Sequence, residues 1–322
     1  MKKLKCAVIG VGYLGRFHAQ KYKTIAETTG KVELVGVCDA NSDRVAEIAR
    51  EVETKAYSNY KELIGKVDAV TIATSTRTHF EIAKFFLENG VHVHVEKPMT
   101  ATIAEAEELV KIAREKKLKL QVGHVERFNA ALTAAKEKLM NPLFIECHRL
   151  APFKPRGVDV DVILDLMIHD LDVILSLVKS PVKSVSAVGA PVLTKYVDIA
   201  NARVEFESGT VANVTSSRVS QTSTRKFRVF QSSQYLSIDF GTSEVNLTTK
   251  TSEEWKENQI PLEFDSWNMD KVDALLEETK AFIACIENDS RPIVSGEDGL
   301  VALTLAERIS NDINQRLKKF IP

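Results

Sequence analysis

The stretch Lys5-Cys6-Ala7-Val8-Ile9-Gly10-Val11-Gly12-Tyr13-Leu14-Gly15 decides the fold. Residues 5–10 read as a short apolar strand and residues 13–28 as a helix, so the glycines stand where a strand turns into a helix. Gly10 permits the tight turn, Gly12 lets the backbone approach a pyrophosphate, and Gly15 lets the helix pack closely on the strand. The helix start, with Tyr13 and Leu14, offers free N–H groups and a positive dipole end to phosphate. Asp39 ends the second strand, where a dinucleotide fingerprint places the carboxylate that binds ribose hydroxyls. A carboxylate there opposes a 2′-phosphate, so NAD is expected over NADP, while Arg44 nearby pulls the other way.

Working outward, strands at 32–38, 67–73, 91–95 and 118–122 alternate with helices at 42–51, 78–89 and 103–116. Ser42 is the expected cap of the first of these helices, and Gly90 ends the second. Strand–helix alternation at this pitch means βαβ units and a parallel sheet. The pattern then changes. Helices at 129–139 and 162–178 precede strand after strand from Val182 to Thr248, with Glu207-Ser208-Gly209-Thr210 as a hairpin turn, and helices at 269–288 and 299–318 close the chain. The expected architecture is an α/β Rossmann domain over residues 1–123. An α+β domain with a mainly antiparallel, open-faced sheet follows over 124–322.

A net charge of -1 argues against nucleic acid or an anionic membrane as partner. Cys6, Cys38, Cys147 and Cys285 are scattered, which suits buried thiols in a reducing compartment better than a zinc site. No metal is expected. The apolar run after the basic start is broken by glycine, and none reaches the ~20 residues of a membrane span. The protein is therefore expected in the cytoplasm.

Strand ends in an open α/β sheet hold the ligand. Thr74 and Thr76, just past the strand ending at Ala73, are candidates to line the cofactor groove, with capping of the next helix by Thr76 or Thr78 as the alternative. His79 follows in that helix, either as a cofactor contact or as a solvated or backbone-bonded histidine.

The tripeptide Glu96-Lys97-Pro98 after the fourth strand resembles the E-K-P mark of the Gfo/Idh/MocA oxidoreductase family, and the likeness extends over nearly the whole chain. Ala73-Thr74-Ser75 stands where that family has A-T-P. Asp165, Met167, His169 and Asp172 resemble its D-x-G-x-H-x-x-D, with methionine replacing glycine. At i, i+4 and i+7, Asp165, His169 and Asp172 would share one helix face. The resemblance implies that Lys97 lies at the nicotinamide and the substrate hydroxyl, with Glu96 beside it, and that the Lys97–Pro98 bond is cis. Without it, Lys97 would read as a surface lysine in a turn.

Residues 123–129 and 165–170 further resemble UDP-N-acetylglucosamine 3-dehydrogenases, which supply a 3-keto sugar to a transaminase on the way to the diamino sugar of lipid A. This implies that Arg127 lies near nicotinamide or substrate. Arg149, Lys154 and Arg156, read as one basic loop, either hold a diphosphate or are simply solvated. The reading is thus an NAD-dependent sugar dehydrogenase in which Lys97 and His169 handle the hydroxyl proton and Asp165 fixes the imidazole or a sugar hydroxyl. Which of the two takes the proton is open. Rival readings are a dehydrogenase of a free polyol, aldose or other nucleotide sugar, and a non-catalytic dinucleotide sensor. A homodimer or homotetramer is expected, with Val204, Phe206, Val211 and Val214 as candidates for the joining sheet face.

Overall fold

The computed structural model describes residues 3–154, 160–252, 260–270 and 272–320. The elements run β1 (Leu4–Ile9), α1 (Tyr13–Thr29), β2 (Val32–Cys38), α2 (Ser42–Glu51), β3 (Lys55–Tyr57), β4 (Ala69–Ile72), α3 (Thr76–Glu88), β5 (His92–Glu96), α4 (Ile103–Glu115) and β6 (Leu120–Gly123). They continue with α5 (Ala130–Ala135), β7 (Phe144–Leu150), a π-helical turn (Ile163–Met167) leading into α6 (Ile168–Leu177), β8 (Val182–Ala190), β9 (Ile199–Phe206) and β10 (Val211–Ser217). Last come β11 (Thr224–Gln231), β12 (Gln234–Asp239), β13 (Glu244–Lys250), β14 (Leu262–Asn268), α7 (Ala274–Glu287) and α8 (Gly296–Leu317).

Two compact units result: Met1–Val125 with Asp273–Leu300, and Glu126–Val272 with Val301–Pro322. The first holds a six-stranded, wholly parallel sheet in the order β3-β2-β1-β4-β5-β6. This is the doubly wound dinucleotide order, with its switch point between β1 and β4. Helix starts follow local chemistry. Asn41, one residue before the expected Ser42, caps α2 by accepting from the Arg44 N–H at 2.9 Å. Thr102 and Glu105 form a reciprocal capping box at α4.

The segment Asp273–Leu300 departs from the expected division at Gly123. α7 returns to the first unit, where Phe282, Ile283 and Cys285 join a core with Cys6, Val8, Tyr22 and Ile48. Burial of that apolar face, rather than order in the sequence, decides where the helix belongs. Ser295 bridges to Gln121 of β6, and Gly296 and Gly299 lie against Leu120 and Val122.

The second unit carries an eight-stranded sheet in the order β14-β13-β12-β11-β7-β10-β9-β8, antiparallel except where β10 runs parallel to β7. One face packs on α5, α6 and the later turns of α8, with Ile145, Cys147, Val204, Phe206, Val214, Phe227 and Val229 inward. This corrects the expected joining face: Val204, Phe206 and Val214 are 0%, 1% and 0% exposed within their own core. Strand alternation had the right period, but the period does not say which face is inside. The opposite face presents Asn201, Arg203, Asn213 and Thr215, with Phe144, Phe230 and Tyr235 clustered on it at centroid separations of 5.5 and 4.9 Å.

Candidate active site

In the first unit the glycine turn is built as its spacing demands. Gly10 adopts φ +81°, and a Cβ on Gly15 would lie 1.8 Å from the Gly10 carbonyl oxygen. A Cβ on Gly12, in contrast, would meet nothing within 4 Å. The backbone at Gly12 therefore faces open space at the start of α1, where no acidic side chain occupies the first turn. Tyr13 and Leu14 beside it are 66% and 37% exposed. Open backbone at a helix N-terminus suits a pyrophosphate.

Asp39 stands at the adjacent strand end. Its Oδ2 accepts from the Val11 N–H at 2.8 Å and its Oδ1 from Asn41 N–H at 2.9 Å. Each oxygen keeps a lone pair for a ribose hydroxyl. Arg44 donates Nε–H to the Val11 carbonyl at 3.0 Å and pairs with Glu47 at 2.9 Å, so it lies along the same loop. The described residues thus fit a dinucleotide from adenosine to pyrophosphate.

Past β4, Thr74 accepts a hydrogen bond from Thr78 at 2.8 Å, and Ser75 occupies the cap position of α3 without a side-chain bond. Neither Thr76 nor Thr78 is that cap; Thr76 stands in the first turn, half-buried. Of the two readings of His79, cofactor contact or backbone-bonded histidine, the structure gives the backbone-bonded one. It is 1% exposed, with Nδ1 facing the Pro98 carbonyl at 3.0 Å and Nε2 facing that of Thr74 at 3.1 Å. It ties the end of β4 to the turn after β5, and burial holds its pKa below the ordinary range despite the carbonyls, which raise it.

That turn contains the cis Lys97–Pro98 bond. Glu96, expected beside the cofactor, points inward instead. It is 7% exposed, takes His18 Nε2 at 2.7 Å and accepts from the Lys97 N–H at 3.3 Å. Its carboxyl lies where a Cβ on Gly123 would come within 2.9 Å. Despite desolvation, the facing His18 ring holds Glu96 below the usual carboxylate range. Lys97 itself is half-buried. Glu96 and His18 are thus the floor on which Lys97 stands. The sequence reading missed His18, His94 and Glu278 in this layer, and the nitrogen and oxygen atoms of His18, Glu96 and Glu278 lie within 4.8 Å of one another. An inward histidine on α1 was the available signal.

The second unit gathers the remaining candidates on α6 and the segment before α5. Asp165 lies in the π-helical turn, where the Ile168 N–H reaches back to the Ile163 carbonyl. Such turns are rare and recur at functional sites. Asp165 and His169 are half-buried. Asp172 does not share their exposure: it is 2% exposed and lies 3.7 Å from Arg127, which also donates to its carbonyl at 3.4 Å. The π turn breaks the regular α spacing on which one common face depended.

Arg149 is the largest correction. It lies in β7, not in a loop, and is 4% exposed. Its guanidinium forks onto Asp170 at 2.8 and 2.8 Å and reaches Glu126 at 2.8 Å, so its donors are spent inside the unit. Lys154 is exposed beyond β7, and Arg156 lies outside the described residues.

Comparison with known proteins agrees with both units. Residues 4–124 match the oxidoreductase family described as having an NAD-binding Rossmann fold, and residues 147–236 match the GFO/IDH/MocA C-terminal domain. The chain is 43% identical over 241 residues to a UDP-N-acetylglucosamine 3-dehydrogenase of Acidithiobacillus ferrooxidans, covering 74% of this chain and 75% of that one. A solved structure of that enzyme superposes with a TM-score of 0.90 at 37% identity, covering 97% and 98% of the two chains. A myo-inositol 2-dehydrogenase of Thermotoga maritima is 26% identical over 332 residues, 97% of each chain. With both of its units matched, this chain belongs to the Gfo/Idh/MocA family of oxidoreductases, with NAD as the cofactor of its Rossmann unit.

Proposed function

We propose that this protein oxidises the 3-hydroxyl of UDP-N-acetylglucosamine to a ketone. The observation that carries the reading is the 43% identity to the Acidithiobacillus ferrooxidans enzyme, sustained over three quarters of its length. When bound, NAD+ supplies the hydride acceptor, and Asp39 selects it over NADP by opposing a 2′-phosphate. Lys97 and His169 serve the sugar hydroxyl, one of them accepting its proton as the carbon loses hydride. Asp165 orients His169 or a neighbouring hydroxyl.

The product is a carbonyl, which a transaminase converts to an amine. This supports a place in the synthesis of a diamino sugar for lipid A, in the cytoplasm. We also propose a homodimer or homotetramer, in which a second copy packs on the sheet face that presents Asn201, Arg203, Asn213 and Thr215.

The test follows NADH absorbance while UDP-N-acetylglucosamine, free N-acetylglucosamine and free inositols are offered in parallel. The UDP-sugar is expected to give the highest kcat/KM. Turnover of a free sugar or inositol at least as efficient as that of the UDP-sugar overturns the reading. General acid–base groups contribute roughly 10²–10⁴-fold, so Lys97→Ala and His169→Ala should each lower kcat by a factor in that range with NADH affinity intact. The double variant should fall short of the product of the two, because groups acting on one proton work as a unit.

A further inference from the structure

Four charged side chains, one of them a buried cation, meet in the second unit. Arg149 projects from β7 between Asp170, whose two oxygens it holds at 2.8 Å each, and Glu126, held at 2.8 Å. All three are nearly excluded from solvent, at 4%, 2% and 6% exposure. Arg225, next to Arg149 across the β7–β11 ladder, lies 3.8 Å from Glu126 and is itself half-exposed. The Phe240 ring lies 6.0 Å from the Arg149 guanidinium, and Asn129 donates to the second Glu126 oxygen at 3.3 Å.

This placement has a cost. Two carboxylates and a guanidinium are removed from water, and a well-packed apolar trio of similar volume is commonly as stable or more so. Geometry shows what the charges provide. Glu126 immediately precedes Arg127, and Asp170 immediately follows His169. The planar guanidinium, with fixed donor directions, sets the distance and rotation of both carboxylates at once, which a lysine ammonium does not do. The same two segments are joined a second time by Arg127, which reaches the Asp172 carbonyl at 3.4 Å.

We infer that Arg149 is a positioning residue of the sugar site: it fixes Arg127 through Glu126 and His169 through Asp170, and it does not touch the substrate. The inference rests on the proposed role of His169 and on the place near nicotinamide or substrate that the resemblance implies for Arg127. It separates two ends of one device. The Glu126 end governs how the substrate is held, and the Asp170 end governs how His169 is presented to the reacting hydroxyl.

The test compares Arg149→Lys, Glu126→Gln and Asp170→Asn with the wild type in the full-length protein. Readouts are sugar kcat and KM, the pH profile of kcat, NADH dissociation constants, and hydrogen exchange of residues 125–129 and 163–172. Arg149→Lys is expected to lower kcat/KM about 10–100-fold, with NADH binding unchanged within about twofold. Glu126→Gln should act mainly on KM. Asp170→Asn should act mainly on kcat and shift its pH profile. Exchange should quicken in both segments for Arg149→Lys and chiefly in one for each single-end variant.

If Arg149→Lys does not fold, the split between the other two variants still decides. A folded Arg149→Lys with wild-type kcat/KM overturns the inference, as does an equal loss of NADH binding and turnover in all three variants. If the wild type turns over an inositol and not the UDP-sugar, the proposed substrate fails, and the same comparison is made with the inositol. If it turns over neither, hydrogen exchange alone decides: unchanged exchange in both segments overturns the inference.

Discussion

Gly12 and Gly15, three residues apart at the start of α1, should fail in opposite ways when replaced by alanine. At Gly15 the new Cβ would sit 1.8 Å from the Gly10 oxygen, far inside the 3.4 Å at which ordinary contact begins. That oxygen cannot swing aside freely. It shares a peptide plane with the Val11 N–H, which donates to Asp39 at 2.8 Å, while the Gly10 N–H donates to the Cys38 carbonyl at 2.7 Å. Forced overpacking of this kind costs about 1–3 kcal/mol, and more where backbone must move. At roughly 2–4 °C per kcal/mol for a unit of this size, Gly15→Ala should lower Tm by several degrees without any ligand. Moving the plane also releases Asp39, so NAD+ affinity should fall as well.

At Gly12 the Cβ meets nothing within 4 Å, so Gly12→Ala should keep the ligand-free Tm within about a degree or two of wild type, as expected for a change below ~0.5 kcal/mol. The methyl group would instead occupy the space taken by the pyrophosphate. A loss of about 1.4–2.8 kcal/mol, or ten- to a hundredfold in Kd, is expected. Differential scanning fluorimetry with and without NAD+, together with NADH fluorescence titration, measures both effects. Wild-type NADH affinity in a folded Gly12→Ala protein would refute the placement of the pyrophosphate. Equal ligand-free destabilisation by both substitutions would refute the packing argument.

Stability should fall with acidification. Burial pushes the His94 pKa down to about 3, with the neighbouring His18 adding to the effect, and burial likewise lowers His79 and His92. The unfolded chain then binds protons that the folded one refuses. The contribution is complete above ~6.5 and is lost as pH falls toward the folded value. Tm measured from pH 8 to pH 5 should drop, and His94→Phe should flatten that slope; an unchanged slope argues against it. Asp198, 0% exposed, is bonded to Arg218 at 2.8 Å and to the backbone N–H groups of Val192, Leu193 and Thr194. Asp198→Ala leaves Arg218 buried without its carboxylate and should cost about 3–5 kcal/mol, read as a lower urea midpoint; a change under 1 kcal/mol would count against the pair.

The Rossmann half was legible because its signals are local. A glycine turn, an acid one strand later and strands alternating with helices lie within windows that a few hydrogen bonds enforce. The elements that escaped notice lack such signals. β3 is three residues long. β7, Phe-Ile-Glu-Cys-His-Arg-Leu, alternates correctly but places Arg149 at an inward position, so its polarity suggested a loop. The partners that make that position tolerable, Glu126 and Asp170, are 23 and 21 residues away in sequence. His79 and Glu96 are cofactor-groove candidates by their place in the motif, yet a motif does not tell whether a polar side chain faces a ligand or the protein's own groups, here two backbone carbonyls and His18. The return of α7 to the first unit is invisible for the same reason: an amphipathic helix shows which face is apolar, not which core receives it.

That return has a consequence for how the protein is made. The chain passes from the first unit to the second, back to the first and again to the second, so its first 125 residues do not contain a complete first core. Tyr22, Val8 and Ile48 wait for Phe282, Ile283 and Cys285. At translation speeds of about 5–20 residues per second, the interval between synthesis of β6 and of α7 is on the order of ten to thirty seconds. During it the nascent nucleotide-binding half has an uncovered apolar flank beside the ribosome, and a chaperone or the emerging second unit must keep it from aggregating. A gene fragment ending at residue 125 should therefore express as an insoluble product, whereas a rearranged chain with residues 273–300 fused directly after it would close the first core without the intervening 147.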